Sequence, residues 1–205
     1  MKKYFVIGNP VEHSLSPKLH NYWIKKNNID AVYEKKLLTE AEVESFISEI
    51  REKKIYGANI TVPFKKKVIP FLDKLSLEAS STQSVNTIYI EGSEVIGHNT
   101  DIEGFEKSIL DTKFDFKGKR ALILGSGGVV SSIIFALKKL KVTEITLSNR
   151  TKSRAEELKK LFHNLNVVNW GDLTDFDIII NATSLGLNKD DDLKIDFSRI
   201  GKNKF

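Results

Sequence analysis

The spacing of apolar residues changes several times along the chain. "KYFVIG" is a short apolar run that ends at Gly8-Asn9-Pro10 and predicts a strand. Ser16-Pro17 predicts a helix start, with Ser16 as N-cap and Pro17 at the first helical position. Leu19, Tyr22 and Trp23 are expected to form its apolar face, and "AVYEKKLL" to be a second strand. Thr39-Glu40-Ala41-Glu42 has the T-x-x-E form of a capping box. Val43, Phe46, Ile47 and Ile50 follow at i, i+3, i+4 and i+7, the spacing of an amphipathic helix. "GANITV" predicts a third strand, and "VNTIYI" with "EVIGH" a hairpin across Glu91-Gly92-Ser93. Thr100 and Glu103 repeat the T-x-x-E pattern ahead of inward-facing Ile102, Phe105 and Ile109.

After "FDFKGKR" the texture changes. "ALILG" is a continuous apolar strand of the kind covered on both faces in a parallel sheet. A helix from about Gly128 to Leu140, strand "EITLSN", helix "SRAEELKKLF" and strand "DIIINA" complete the alternation. The expected fold class is α/β: an N-terminal α/β domain over 1–112, then a Rossmann-like doubly wound parallel sheet over 113–205.

Composition narrows the partners. The 205 residues are 40% hydrophobic and 29% charged, with mixed signs, enough for one or two domains with real cores. A net charge of +5 favours anionic ligands. The lysines are scattered from Lys2 to Lys204 without an aromatic-interleaved stripe, so no nucleic-acid partner is expected. The absence of cysteine excludes disulfides, thiolate catalysis and cysteine-based zinc sites, and is compatible with the cytoplasm. "MKKYFVIG" has too short an apolar run for a signal peptide, and no membrane span is expected.

"LILGSGGVVSS" places Gly125, Gly127 and Gly128 where a strand meets a helix. Gly125 allows the tight turn, and Gly127 lets backbone approach a pyrophosphate at the helix N-terminus. Val130 occupies the usual third glycine position. An NAD site usually carries an acid at the end of the next strand, yet "LSNRTKSR" has none. Arg150 and Arg154 suit a 2′-phosphate, and Thr151 can add a hydroxyl. Cations at a helix N-terminus oppose its dipole, so this cluster asks for an anion, against the alternative of a solvated basic surface. The cofactor expected is NADP.

In the first domain, Ser14 and Ser16 in "GNPVEHSLSPKLHN" sit at a strand-to-helix junction suited to a polyhydroxylated carboxylate; a plain cap would also explain Ser16. His13 and His20 have no acid at ligand spacing, so no metal is expected. In "NITVPFKKK", Pro63 ends the strand and places Lys65 in the first turn of an expected short helix. A positive helix end destabilises an ammonium, which suits a group that trades a proton. Lys66 and Lys67 read as solvated surface. Asp101 stands at another helix start, where placement near the dipole is the competing explanation. Asn86 in "SVNT" is a polar residue within a strand pattern.

Taken in order, "GNPVEHSLSPKLHN", "GANITVPFK", "SVNTI", "HNTDIEGF", "GSGG", "NRTKSR" and "NATSLGL" resemble the shikimate dehydrogenase family along nearly the whole chain. The resemblance implies reversible NADP-dependent reduction of 3-dehydroshikimate to shikimate, in aromatic amino-acid (chorismate) biosynthesis. It implies that 1–112 is the substrate-binding and catalytic domain and 113–205 the NADP domain. By motif, Ser14 and Ser16 would bind the substrate carboxylate, and Thr61, Asn86 and Asp101 its ring hydroxyls. Lys65 and Asp101 would be the catalytic pair, with Asn59 supporting the site. Gly125, Gly127 and Gly128 would cradle the pyrophosphate. Asn149, Arg150, Thr151 and Arg154 would hold the adenosine ribose and its phosphate, and Thr183 would lie along the cofactor.

The sequence departs from the family pattern at Gln83-Ser84, at His98 and at Leu187. The family also usually continues beyond a position such as Phe205, so the NADP domain is expected to be C-terminally incomplete. Three other readings stand beside this one: a nucleotide- or substrate-binding fragment without turnover, a quinate/shikimate dehydrogenase, and a nucleic-acid binder. The pattern leaves oligomeric state open, with a homodimer among the options.

Overall fold

The chain begins with strand β1 (Lys2–Gly8), helix α1 (Ser16–Lys26) and strand β2 (Ala31–Leu37). This strand–helix–strand run closes as a parallel pair, Lys2 opposite Ala31 through Gly8 opposite Leu37. The computed structural model describes residues 1–186, 189–198, 200–201 and 204–205. They divide into two compact units, Met1–Thr100 and Asp101–Phe205.

The first unit continues with α2 (Val43–Arg51), β3 (Gly57–Ile60), β4 (Lys74–Leu75), α3 (Leu77–Thr82), β5 (Thr87–Glu91) and β6 (Glu94–His98). Its sheet order is β2-β1-β3-β5-β6-β4. β1 and β3 run parallel, whereas β5 pairs antiparallel with both β3 and β6. The β5–β6 hairpin turns through Gly92 with φ at +64°. Val43, Phe46, Ile47 and Ile50 of α2 are all buried against the sheet, in a core with Ile7, Ile60, Ile88 and Val95. Ahead of α2, the capping box is formed: the Thr39 N–H and hydroxyl each donate to the Glu42 carboxylate at 2.7 Å.

Three local expectations differ from the structure. No residue of α1 is fully buried, and Leu19, Tyr22 and Trp23 are 49%, 59% and 49% exposed. The inward face is Pro17, His20, Asn21 and Ile24, which is rotated around the helix and partly polar. The Asn21 amide anchors it to the neighbouring strand, donating to the Tyr33 carbonyl at 2.7 Å and accepting its N–H at 3.0 Å. Ser16 is not the N-cap, because the helix begins one residue earlier and Leu15 takes that place. The third strand stops at Ile60, and residues 62–68 form consecutive turns rather than a helix. The nearest helical turn is the 3₁₀ segment Ile69–Phe71. Two short elements, β4 and α3, have too few residues to show a period.

The second unit holds α4 (Asp101–Leu110), β7 (Arg120–Leu124), α5 (Val130–Lys139), β8 (Glu144–Ser148), α6 (Lys152–Leu161), β9 (Leu165–Val168) and β10 (Ile178–Asn181). Its sheet is wholly parallel, in order β10-β7-β8-β9. This is the half-sheet order of a doubly wound dinucleotide-binding fold. Leu122 and Ile123 are fully buried, as expected for a central strand covered on both faces. The sequence reading keeps α4 in the first domain, with a break at 112. Here α4 groups with the second unit, since Ile109 and Phe105 join its core and Glu106 pairs with Lys139 on α5 at 2.6 Å.

The packing predicts a contrast within the first unit. Phe46→Ala should cost about 3–5 kcal/mol in urea unfolding. Leu19→Ala, on the exposed side of α1, should stay within about 0.5 kcal/mol.

Candidate active site

In the first unit the site residues collect at one edge of the sheet, where β1 and β3 end and β5 begins. Gly8 ends β1, and a Cβ there would collide with the Thr61 methyl group and stand 3.1 Å from the Val62 carbonyl. Glycine therefore lets Thr61 sit directly beside the end of β1. The Thr61 N–H extends the ladder by donating to the Ile7 carbonyl at 2.9 Å. The loop after Gly8 carries Ser14 and Ser16. Their hydroxyls are 3.2 Å apart, and the Ser16 N–H donates to Ser14 Oγ at 3.3 Å. The Ser16 hydroxyl therefore has no capping role.

Lys65 is half-buried on the turns after β3, so no helix dipole acts on it. Its carbonyl accepts the Val85 N–H at 2.8 Å, which ties this loop to the residue preceding Asn86. Lys66 is exposed and Lys67 pairs with Glu40, in keeping with a solvated surface. Asn86 is held on its main chain by Ile60 N–H at 2.8 Å and His98 C=O at 3.0 Å. Its side-chain carbonyl accepts Thr100 N–H at 2.9 Å and the Thr87 hydroxyl at 3.0 Å. Beneath this edge, the Asn99 amide is 1% exposed and donates to Thr82 Oγ1 and the Ser84 carbonyl at 3.1 and 2.9 Å. Ser14, Ser16, Thr61, Lys65 and Asn86 thus share one strand edge. Asp101 is the first residue of α4 and belongs to the second unit.

Sequence reasoning placed Asn59 only loosely and missed Tyr33 and Thr87. The Tyr33 phenol donates to Asn59 Oδ1 at 2.6 Å, and burial pushes its pKa up, which keeps it a neutral donor. His20 stacks on the Tyr33 ring at 4.2 Å, and burial lowers the imidazole pKa. The available signal was β-register: Asn59 and Thr87 are direct partners across β3 and β5.

In the second unit, Gly125 follows β7 with φ at +113°. A Cβ there would lie 2.8 Å from the Ala182 carbonyl and 3.2 Å from Thr183 Cγ2. The loop from Gly125 therefore packs against the turn after β10, at the point where strand order reverses. In open α/β sheets that crevice is the ligand position. Gly127 has open space: a Cβ there would have its nearest neighbour 3.9 Å away, so a phosphate can approach its backbone. Val130 starts α5 fully buried, so the third-glycine position is filled by core packing.

Beyond β8, the Asn149 amide donates to the Thr151 carbonyl at 2.8 Å. Arg150, Thr151, Lys152 and Arg154 are exposed, and no acid stands in the first turn of α6. The Thr183 hydroxyl donates to Asn181 Oδ1 at 2.7 Å and accepts Leu185 N–H at 3.0 Å. That turn holds Thr183 at the sheet edge. Leu187 lies outside the described residues. Among the described residues, no helix is long and apolar enough to cross a membrane.

A glycine loop at the switch point of a parallel sheet, followed by a cationic segment, defines a dinucleotide-binding α/β unit. It is joined in one chain to a unit with a lysine, hydroxyl and amide site. Residues 6–88 match the family described as shikimate dehydrogenase substrate binding domain, and residues 107–188 match shikimate / quinate 5-dehydrogenase. The chain is 60% identical over 206 residues to the shikimate dehydrogenase (NADP(+)) of Pelagibacter ubique, covering 100% of this chain and 78% of that protein. It is 36% identical over 194 residues to the enzyme of the same name from Caldicellulosiruptor bescii, covering 91% and 67%.

Among solved structures, shikimate dehydrogenase from Aquifex aeolicus superposes with a TM-score of 0.87 at 37% identity, covering 94% of this chain and 72% of that one. Shikimate 5-dehydrogenase from Thermus thermophilus, in complex with NADP(H) and shikimate, gives 0.81 at 32% identity, covering 91% and 70%. The chain belongs to the shikimate dehydrogenase family.

The two loop glycines should respond differently to alanine. Gly125→Ala meets both a forbidden φ and the Ala182 carbonyl, and should lose about 1–3 kcal/mol in unfolding experiments. Gly127→Ala has room and should leave the unfolding free energy within about 0.5 kcal/mol of the parent.

Proposed function

We infer that this chain catalyses the NADP-dependent, reversible reduction of 3-dehydroshikimate to shikimate, a step of aromatic amino-acid biosynthesis. The observation that carries the inference is 60% identity to a shikimate dehydrogenase (NADP(+)) across the whole of this chain, spanning both units. The reading extends to a cytoplasmic enzyme whose partners are these small molecules, without nucleic acid or membrane.

The residues fit the cofactor. Gly125, Gly127 and Gly128 form the loop for the pyrophosphate, and the open space at Gly127 supports this assignment. Asn149, Thr151, Arg150 and Arg154 would hold the adenosine ribose and its 2′-phosphate, where guanidinium groups can make paired charge-assisted bonds. Thr183 would line the cofactor. Bound NADPH supplies the hydride that converts the ketone carbon to a carbinol.

The other steps belong to side chains of this protein. Ser14 and Ser16 would donate hydroxyl hydrogens to the substrate carboxylate. Thr61 and Asn86 would hold ring hydroxyls and so orient the carbonyl. Lys65 would give its proton to the ketone oxygen as negative charge develops there, and would take the proton back in shikimate oxidation. Asp101 would be the second catalytic residue, with the task of orienting the substrate. Substrate binding would fall to the first domain and NADP binding to the second, which the sequence reading divides at 112, with α4 packed on the second unit. The paired hydroxyls of Ser14 and Ser16 favour shikimate over quinate as substrate.

Lys65→Ala should lower kcat by about 10²–10⁴-fold while the Kd for NADPH, read by fluorescence titration, stays unchanged. A variant as active as the parent would overturn the role of Lys65.

A further inference from the structure

The chain leaves α3 for β5 through Gln83, which has φ at +47°. A residue with a side chain takes up that left-handed conformation at a cost, so its surroundings must hold it there. The amide of Asn99, 1% exposed, is placed to do so. Its nitrogen donates to the residues on either side of Gln83: to Thr82 Oγ1 at 3.1 Å and to the Ser84 carbonyl at 2.9 Å. Carbonyl oxygens fix the sense of both bonds, because they only accept. The Ser84 carbonyl takes its hydrogen from Asn99. The Thr82 hydroxyl gives its single hydrogen to the Glu78 carbonyl at 2.7 Å, and so accepts from Asn99.

The three residues after this turn reach the site. Ser84 N–H donates to the Ala79 carbonyl at 3.2 Å, so with Asn99 on its own carbonyl the residue is held on both sides. Val85 N–H donates to the Lys65 carbonyl at 2.8 Å. Asn86 is bound by the neighbours of Asn99: its N–H donates to the His98 carbonyl at 3.0 Å, and Thr100 N–H donates to its Oδ1 at 2.9 Å. Residues 98, 99 and 100 thus each grip segment 84–86, and Asn99 grips the end where the left-handed residue enters. Thr82, Ser84 and Asn99 are all buried, so bulk water does not make good a bond lost among them.

We propose that Asn99 is a positioning residue for Lys65: its amide clasps the left-handed turn at Gln83, which fixes segment 84–86 and, through Val85, the loop that carries the lysine. The proposal rests on the reading of Lys65 as the proton donor. Asn99 does this without touching substrate or cofactor. A glycine at position 83 would take the same φ without strain, so the clasp and the residue it restrains can be tested against each other.

The test is steady-state NADPH oxidation with 3-dehydroshikimate by the full chain and its variants, beside the Kd for NADPH and the melting temperature of each. Thr82→Val keeps shape and removes the hydroxyl that accepts from Asn99. It should lower kcat about 5- to 30-fold, since a small displacement of a reacting group costs rate steeply, and leave the Kd for NADPH within about twofold. Thr82→Ser keeps the hydroxyl and should turn over like the parent. Asn99→Ala should lose at least as much kcat as Thr82→Val. Gln83→Gly added to Thr82→Val should recover most of the lost kcat, because glycine holds the turn without the clasp. Should Asn99→Ala not fold, the Thr82 pair and Gln83→Gly decide. Parent-like kcat in Thr82→Val and in folded Asn99→Ala, beside an inactive Lys65→Ala, would overturn the clasp and leave the Lys65 assignment standing. A purely structural role predicts that outcome together with lower melting temperatures. No recovery on adding Gln83→Gly would also overturn the proposal. A Lys65→Ala variant as active as the parent would instead remove the Lys65 assignment, and the proposal with it.

Discussion

The first unit depends on one rung of its ladder, the Ile60 N–H donated to the Asn86 carbonyl at 2.8 Å. It lies where the last residue of a parallel strand meets the residue just before an antiparallel one. β3 runs with β1 but against β5, so the C-terminal end of β3 and the N-terminal end of β5 fall at the same edge. The loops that carry Ser14, Ser16 and Lys65 leave from that edge too. A sheet that was parallel throughout would place the start of β5 at the opposite end. The change of direction is therefore what brings an amide at Asn86 to the same edge as a lysine and three hydroxyls.

The second unit solves a different problem with a simpler sheet. All four strands are parallel, so their C-terminal ends and helix N-termini share one edge. β8 and β9 lie on one side of β7 and β10 on the other, which opens a crevice beside Gly125. The absence of a side chain there lets the turn at Ala182–Thr183 come close. The same parallel order puts the basic segment after β8 on this edge. Phosphate loop and cationic segment thus follow from strand order together with a few local residue choices.

Parts of this were legible in the sequence where a periodic pattern met a burial demand. Val43, Phe46, Ile47 and Ile50 are spaced for a helix face, and all four are buried. The alternation of strands and helices after residue 118 gives the parallel sheet for the same reason. α1 misled because Leu19, Tyr22 and Trp23 look like a face, whereas the helix is anchored by the Asn21 amide and turns His20 and Ile24 inward. The turns at 62–68 resemble a helix start in sequence because Pro63 suits both. The Tyr33–Asn59–Thr87 contacts cannot be read from residue order, because they depend on the register of three strands.

The claim that joins the two units is a chemical one: this chain moves hydride between a phosphorylated nicotinamide nucleotide and a cyclic ketone. The most direct measurement is steady-state oxidation of NADPH, and separately of NADH, by this chain with 3-dehydroshikimate, with shikimate quantified as product. The account predicts one shikimate formed per NADPH consumed, and kcat/KM at least about tenfold higher with NADPH than with NADH, as a charge-assisted contact to the 2′-phosphate requires. Absence of any 3-dehydroshikimate-dependent oxidation of either nucleotide would contradict it.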